Sequence, residues 1–308
     1  ISLGVIGLVF IILIFWKVIP SIGSYSEALA AMQSMGIGAA IGIVAAVLLY
    51  LGIYGLTFTA ATKGLGYWQG QQINQAAFAI SNGVPGGGAV GLAVQYGMLA
   101  SYGIAPAAST ATITTVGLWS TFVTLGLPIL GVLALYAGGI GGAYVWLGVL
   151  GLVILVVAVV VLVLVVRSER LAAAIGATKA IRPITSRVSR LATLDLEPAM
   201  VHFRASIHYV VAKRWLALTT AQTGIFVAQF LIFYMALRGV QGWGDSGVPW
   251  YVVFGAFAVA QIGLMIPITP GGVGTVDAFM IGILKFWGDA NAVPQLGNLA
   301  TAADLVWR

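Results

Sequence analysis

The sequence predicts an all-α fold: a polytopic transmembrane helix bundle with two Pro-Gly-Gly broken or re-entrant segments and amphipathic cytoplasmic helices. Three observations carry this. Of 308 residues, 60% are hydrophobic and 7% charged, with a mean hydropathy of +1.05, whereas a soluble domain carries about 25% charged residues. No Asp, Glu, Lys, Arg or His occurs between Lys63 and Arg167, a stretch able to supply several spans of about 20 residues. Pro-Gly-Gly occurs twice inside apolar sequence, at Pro85-Gly86-Gly87 and Pro270-Gly271-Gly272.

In chain order, the first span is expected from about Ser2 to Ile19 and is read as retained, since it lacks a basic lead and a small-residue cleavage pattern. The second runs from about Gly36 to Ala60. The stretch holding Tyr67, Trp68, Gln69, Gln71, Gln72 and Asn74 is typical of a membrane interface. Further spans are expected near Thr110–Tyr136 and Ala143–Val166, joined by the tight Gly-rich connection 137–142, then near Trp215–Leu237 and Trp250–Ile268. A last one starts near Leu299. The chain starts at Ile1 and stops at Arg308 in an apolar run, so both ends are expected to be cut from a longer chain. Residues 1–308 are read as a single transmembrane domain.

Residues 167–214 carry nine basic and three acidic residues, an excess equal to the net charge of +6 of the whole chain. The positive-inside rule places this loop in the cytoplasm. Ile184, Val188 and Leu191, and after Pro198 the set Met200, Phe203, Ile207 and Val210, recur at helical spacing. Both patterns predict helices lying on the lipid surface. Lys213 and Arg214 read as a topology anchor, with the gathering of anionic lipid as the alternative.

There are no cysteines, and the two histidines, His202 and His208, are six apart. Disulfides, thiolate metal sites and a Cys nucleophile are excluded, and no cofactor is expected. No nucleophile–base–acid set is visible in the apolar part, so an enzyme is not expected.

Each Pro-Gly-Gly stops a helix and lets the backbone take unusual angles. In lipid such a backbone must line a cavity or be covered by protein. Paired broken helices point to a transporter's binding site, and each following helix N-terminus would aim unpaired N–H groups at an anion. A plain surface turn is the alternative. The candidate substrate-binding residues are therefore Pro85, Gly86, Gly87, Gly88, Gln95, Pro270, Gly271, Gly272, Gly274, Asp277 and Arg308. Asp277, seven residues past Pro270, is expected about two turns into the next helix. It would meet a cationic headgroup or couple protons, or else pair with Lys285 at the surface. Arg308 would meet a lipid phosphate, pair with Asp304 or Asp277, or snorkel. Gln95 and Gln261 either serve the site or hold helices together.

At these residues the chain resembles the transmembrane domain of the lysylphosphatidylglycerol synthase/flippase family. The segment Pro270-Gly271-Gly272-Val273-Gly274-Thr275-Val276-Asp277 is similar to the family's Pro-Gly-Gly-Leu-Gly-x-x-Glu. Asn82-Gly83-Val84-Pro85 is similar to its Asn-x-x-Pro, and Ala303 to Arg308 to the start of its last helix. Asp277 stands where the family has Glu, and Gly88 to Tyr96 lacks the charges found there in the family. The resemblance implies a stand-alone flippase-like protein of a bacterial cytoplasmic membrane, the synthase activity residing in a separate soluble domain. The partners it implies are membrane lipids, anionic or polyprenyl-linked, and not nucleic acid; a second copy of the chain or a membrane enzyme is the further partner. A scaffold subunit of a lipid or cell-envelope complex and a membrane-embedded lipid-modifying enzyme are the other readings.

Overall fold

The computed structural model describes residues 16, 25–33, 35–83, 87–167, 213–242, 247–265 and 272–308. The expected first span apart from Trp16, the basic loop between Ser168 and Ala212, and the candidate residues Pro85, Gly86, Pro270 and Gly271 lie outside the described residues. Within them the regular structure is helical: α1 (Tyr25–Gln33), α2 (Ile37–Tyr54), α3 (Leu56–Ala61), α4 (Tyr67–Gly83), α5 (Gly87–Ser101), α6 (Pro106–Ala137), α7 (Val145–Arg167), α8 (Trp215–Gln241), α9 (Trp250–Ala260), α10 (Thr275–Ala290) and α11 (Leu296–Trp307). Single 3-10 turns cover Gly141–Tyr144 and Gln261–Met265.

Four helical runs are long and apolar enough to cross a bilayer: Ile37–Ala61, Pro106–Ala137, Gly141–Leu164 and Trp215–Gln241. They fall within a few residues of the expected spans. The expected span Trp250–Ile268 is different. Helix α9 gives way to a 3-10 turn at Gln261, so that apolar run changes geometry within itself.

Helix α9 is the centre of the bundle, with Val252, Val253 and every residue from Gly255 to Ala260 buried. It packs against α6, α8 and α10. Small residues permit this. A Cβ on Gly131 of α6 would lie 2.8 Å from the Val259 backbone nitrogen, so the two helices touch backbone to backbone, as small residues allow in membrane bundles. In contrast, α7 turns a valine-rich face outward, with Val156, Val157, Val160 and Val161 all exposed. An outward apolar face on a helix this long is a lipid-facing surface.

Helices α4 and α5, of 17 and 15 residues, pack along each other on either side of the first Pro-Gly-Gly. Helices α9 and α10 do the same on either side of the second. At about 1.5 Å per residue, α4 and α5 are each shorter than the roughly 30 Å hydrocarbon core.

Candidate functional site

The site begins with the backbone before α10. Gly272 and Gly274 have φ of +70° and +86°, angles that residues with a Cβ rarely adopt. These two glycines hold the chain out of helical geometry, so α10 starts only at Thr275 with Gly274 as its N-cap. Asp277 therefore sits in the first turn of α10 and not about two turns in, which corrects the sequence expectation. Its carboxylate Oδ2 accepts a 2.6 Å hydrogen bond from the Gly274 N–H. The N-terminus of α10 is thus capped by an anion of its own chain, and not left open to an external one.

The other Asp277 oxygen is bound from α11. Arg308 Nε donates to Asp277 Oδ1 at 2.8 Å, and Arg308 Nη2 bonds the same oxygen. Nη2 also donates to the Gly272 carbonyl at 3.3 Å. Asp277 is 0% exposed. It is neither a surface acid nor a partner of Lys285, which pairs with Asp289 one turn away at 3.4 Å. The Arg308 guanidinium also lies 4.6 Å from the centre of the Trp307 ring. Asp304, 2% exposed, lies beside Asp277, and its Oδ1 has no hydrogen-bond partner.

Thr275 completes the junction. Its hydroxyl lies 3.1 Å from the Gly263 carbonyl and 3.0 Å from that of Gly272. A Cβ on Gly263 would lie 2.9 Å from the Val276 nitrogen. The 3-10 end of α9 is therefore pressed against the first turn of α10.

Above this junction is a cavity of about 680 Å³. Gln95, Gln222, Gln229 and Gln261 line it, with Asn74 and Arg308. Tyr50, Tyr54, Phe78 and Trp307 supply aromatic wall, and Val273 and Val276 form the side next to α10. Gln95 comes from the helix after the first Pro-Gly-Gly, and Val273 from within the second motif, so the cavity joins both halves of the chain. Gly272, Gly274 and Asp277 are not among its walls; they hold Arg308, which is. Gly88 is exposed, and a Cβ there would meet nothing within 4 Å. It is not among the walls of this cavity. Gly87 is described only as the first residue of α5.

Sequence reading placed the polar start of α4 at a membrane interface. The structure turns much of it inward. Tyr67 OH donates to the Gly52 carbonyl at 2.7 Å, Gln71 Nε2 to Leu51 at 2.8 Å and Asn74 Nδ2 to Tyr54 at 2.6 Å. The α2–α3 run breaks at Gly55, and carbonyls of its last turn take side-chain donors from α4, as a buried break requires. Contact is close: a Cβ on Gly70 would lie 2.6 Å from the Gly55 oxygen. Tyr67, Gln71 and Asn74 recur at i, i+4 and i+7, one helical face, and that periodicity is the signal that identifies them. Trp68, on the other face, is 73% exposed.

A smaller hollow of about 390 Å³ lies between α2, α3 and α8. Arg214 borders it and donates from Nη1 to the Thr59 carbonyl at 3.3 Å.

The motif geometry, the helical bundle and the sequence similarity agree. A family model described as the lysylphosphatidylglycerol synthase transmembrane region matches residues 2–294. The chain belongs to that family. No curated protein and no solved structure matches it. As a lysylphosphatidylglycerol synthase transmembrane-region protein, it is a multi-pass membrane domain. Gln95, Gln261 and Asp277 lie inside the matched residues, whereas Asp304 and Arg308 lie beyond them.

Proposed function

We propose that this chain moves a phospholipid or polyprenyl-linked lipid between the leaflets of a bacterial cytoplasmic membrane, without catalysing a covalent reaction. The observation that carries this reading is the cavity of about 680 Å³ lined by amides, hydroxyls and Arg308 inside an apolar bundle. A headgroup crossing hydrocarbon loses its hydrogen bonds to water, at a cost of several kcal/mol per unsatisfied group. A polar cavity returns those partners, while the acyl chains stay in the surrounding lipid. Arg308 supplies positive charge for a phosphate, and Asp277 fixes the arginine in place.

The lipid-modifying enzyme reading requires a general acid or base facing the substrate. Asp277 is fully buried and bound by both Gly274 and Arg308, which favours translocation over chemistry. The basic residues of 167–214 would concentrate anionic lipid at the cytoplasmic mouth.

The test is leaflet exchange of fluorescent phospholipids in vesicles containing the purified chain, read by dithionite quenching. Exchange above that of empty vesicles is expected, reduced in Arg308→Gln. Rates equal to empty vesicles across a broad lipid panel would refute translocation and leave the scaffold reading.

A further inference from the structure

Arg308 apart, the polar groups facing the cavity are neutral. Among the described residues, Arg308 is the one charged side chain that lines it, and no carboxylate does. The rest of its polar lining is amide and hydroxyl. An amide offers a donor and an acceptor side by side, the pattern that neighbouring hydroxyls on a ring or polyol require.

Some of this capacity is unspent. The Nε2 of Gln261, a residue 2% exposed, has no hydrogen-bond partner. A buried unpaired donor is rare in native proteins and asks for an acceptor. Gln95 is half-buried and makes no side-chain hydrogen bond to the described residues. Gln222 makes one long bond, at 3.4 Å to the Val116 carbonyl. Asn74 is different, since Tyr54 and Thr57 already hold its Nδ2.

A cationic headgroup fits this lining poorly. An aminoacyl, ethanolamine or choline group would share the cavity with the Arg308 guanidinium and find no carboxylate on its walls. The two acids behind the wall, Asp277 and Asp304, are both buried away from it, and Asp277 is engaged by Arg308. Arg308 covers the Trp307 face, which leaves Tyr50, Tyr54 and Phe78 as the aromatic walls that a cation could meet, without a carboxylate to balance its charge. The volume falls within the roughly 300–1,000 Å³ of small-molecule sites.

We infer that the cavity selects an uncharged, hydroxyl-rich headgroup, a sugar or polyol, joined to its lipid through a phosphodiester: hydroxyls bind Gln95 and Gln261, and the phosphate binds Arg308. This rests on the translocation reading for its biological use, but binding is measurable by itself.

The experiment pairs two readouts on the purified chain. The first is the shift in thermal unfolding midpoint in detergent on adding phosphatidylinositol, a short-chain polyprenyl phosphoglucose, phosphatidylcholine, lysyl-phosphatidylglycerol or glucosyl diacylglycerol. The second is vesicle exchange of fluorescent versions of the same lipids. Phosphatidylinositol or polyprenyl phosphoglucose should bind about tenfold more tightly than phosphatidylcholine or lysyl-phosphatidylglycerol, and whichever of the two binds better names the lipid carrier. Glucosyl diacylglycerol, lacking the phosphate, should bind more weakly than both. Gln261→Leu should weaken the hydroxyl-rich lipids roughly tenfold, the effect of losing about one hydrogen bond, with phosphatidylcholine unchanged. Gln95→Leu, at a half-buried position, is the second variant should the first not fold. Equal or tighter binding of phosphatidylcholine or lysyl-phosphatidylglycerol would overturn the inference. So would indifference of both glutamine variants. Selective binding without exchange would sustain the headgroup assignment and refute translocation.

Discussion

Arg308 and Asp277, 31 positions apart, join the end of α11 to the first turn of α10, with Arg308 Nε donating to Asp277 Oδ1 at 2.8 Å. The pair is asymmetric: the carboxylate is sealed from the surface, and the arginine side chain keeps 25% of its exposure. A buried ion pair is costly to break from one side, because it strands a charge.

The first prediction follows. Asp277→Ala strands Arg308 and uncaps α10, and should destabilise the protein by about 3–5 kcal/mol. Arg308→Leu should cost a similar amount. The double variant Asp277→Ala with Arg308→Leu should cost less than the sum of the two single losses. Denaturant unfolding in micelles, arranged as a double-mutant cycle, checks this, and simple additivity of the two losses would contradict the pairing.

Gly272 and Gly274 give the second. Alanine at either must adopt a positive φ, which costs about 1 kcal/mol in the left-handed well and more at Gly274, whose ψ of −42° lies outside that well. At Gly272 the new Cβ would also lie 2.7 Å from Val276 Cγ2 and 2.9 Å from Leu264 Cδ2. Gly272→Ala should therefore lower the unfolding midpoint by more than the backbone cost alone, as read by thermal unfolding in micelles.

The third concerns the break at Gly55. Gly70→Val should force α4 away from α3 and cost about 1–3 kcal/mol. Asn74→Leu should remove the shorter of the two side-chain donors on the Tyr54 carbonyl and leave Thr57 Oγ1, at 3.1 Å, at a cost of about 1 kcal/mol, that of one hydrogen bond. Thermal unfolding of each variant reads this directly. An unchanged midpoint in Asn74→Leu would mean that the Thr57 hydroxyl alone satisfies the carbonyl.

The fourth is topological. A single Cys at Lys179, in the basic loop, should react with an impermeant thiol reagent in inverted vesicles and stay unlabelled in intact cells. Labelling in intact cells would reverse the orientation.

The long helices were legible because length and unbroken hydrophobicity are local properties. Val145–Arg167 can be little else than a span. The motif around Gly272 and Gly274 was legible as a break for the same reason. Where the next helix starts was not, since that depends on two positive φ values, and Asp277 was accordingly set too deep. Three partners were open for Arg308, and tertiary packing alone chose between them. Gly55 sits in ordinary apolar sequence, and its break becomes sensible only once Tyr67, Gln71 and Asn74 approach from another helix. The cavity drew together Gln95 and Gln261, but nothing local to either residue specifies that meeting.

The Asp277–Arg308 link also imposes an order on synthesis. At about 5–20 residues per second, Arg308 is added roughly 2–6 s after Asp277. Until then the carboxylate of α10 is without its guanidinium, and a lone acid in apolar surroundings is expensive. Its early tenant is the Gly274 N–H, supplied three residues upstream and present from the start. The capping bond is thus a provisional shelter, available to the charge before α11 follows with Arg308.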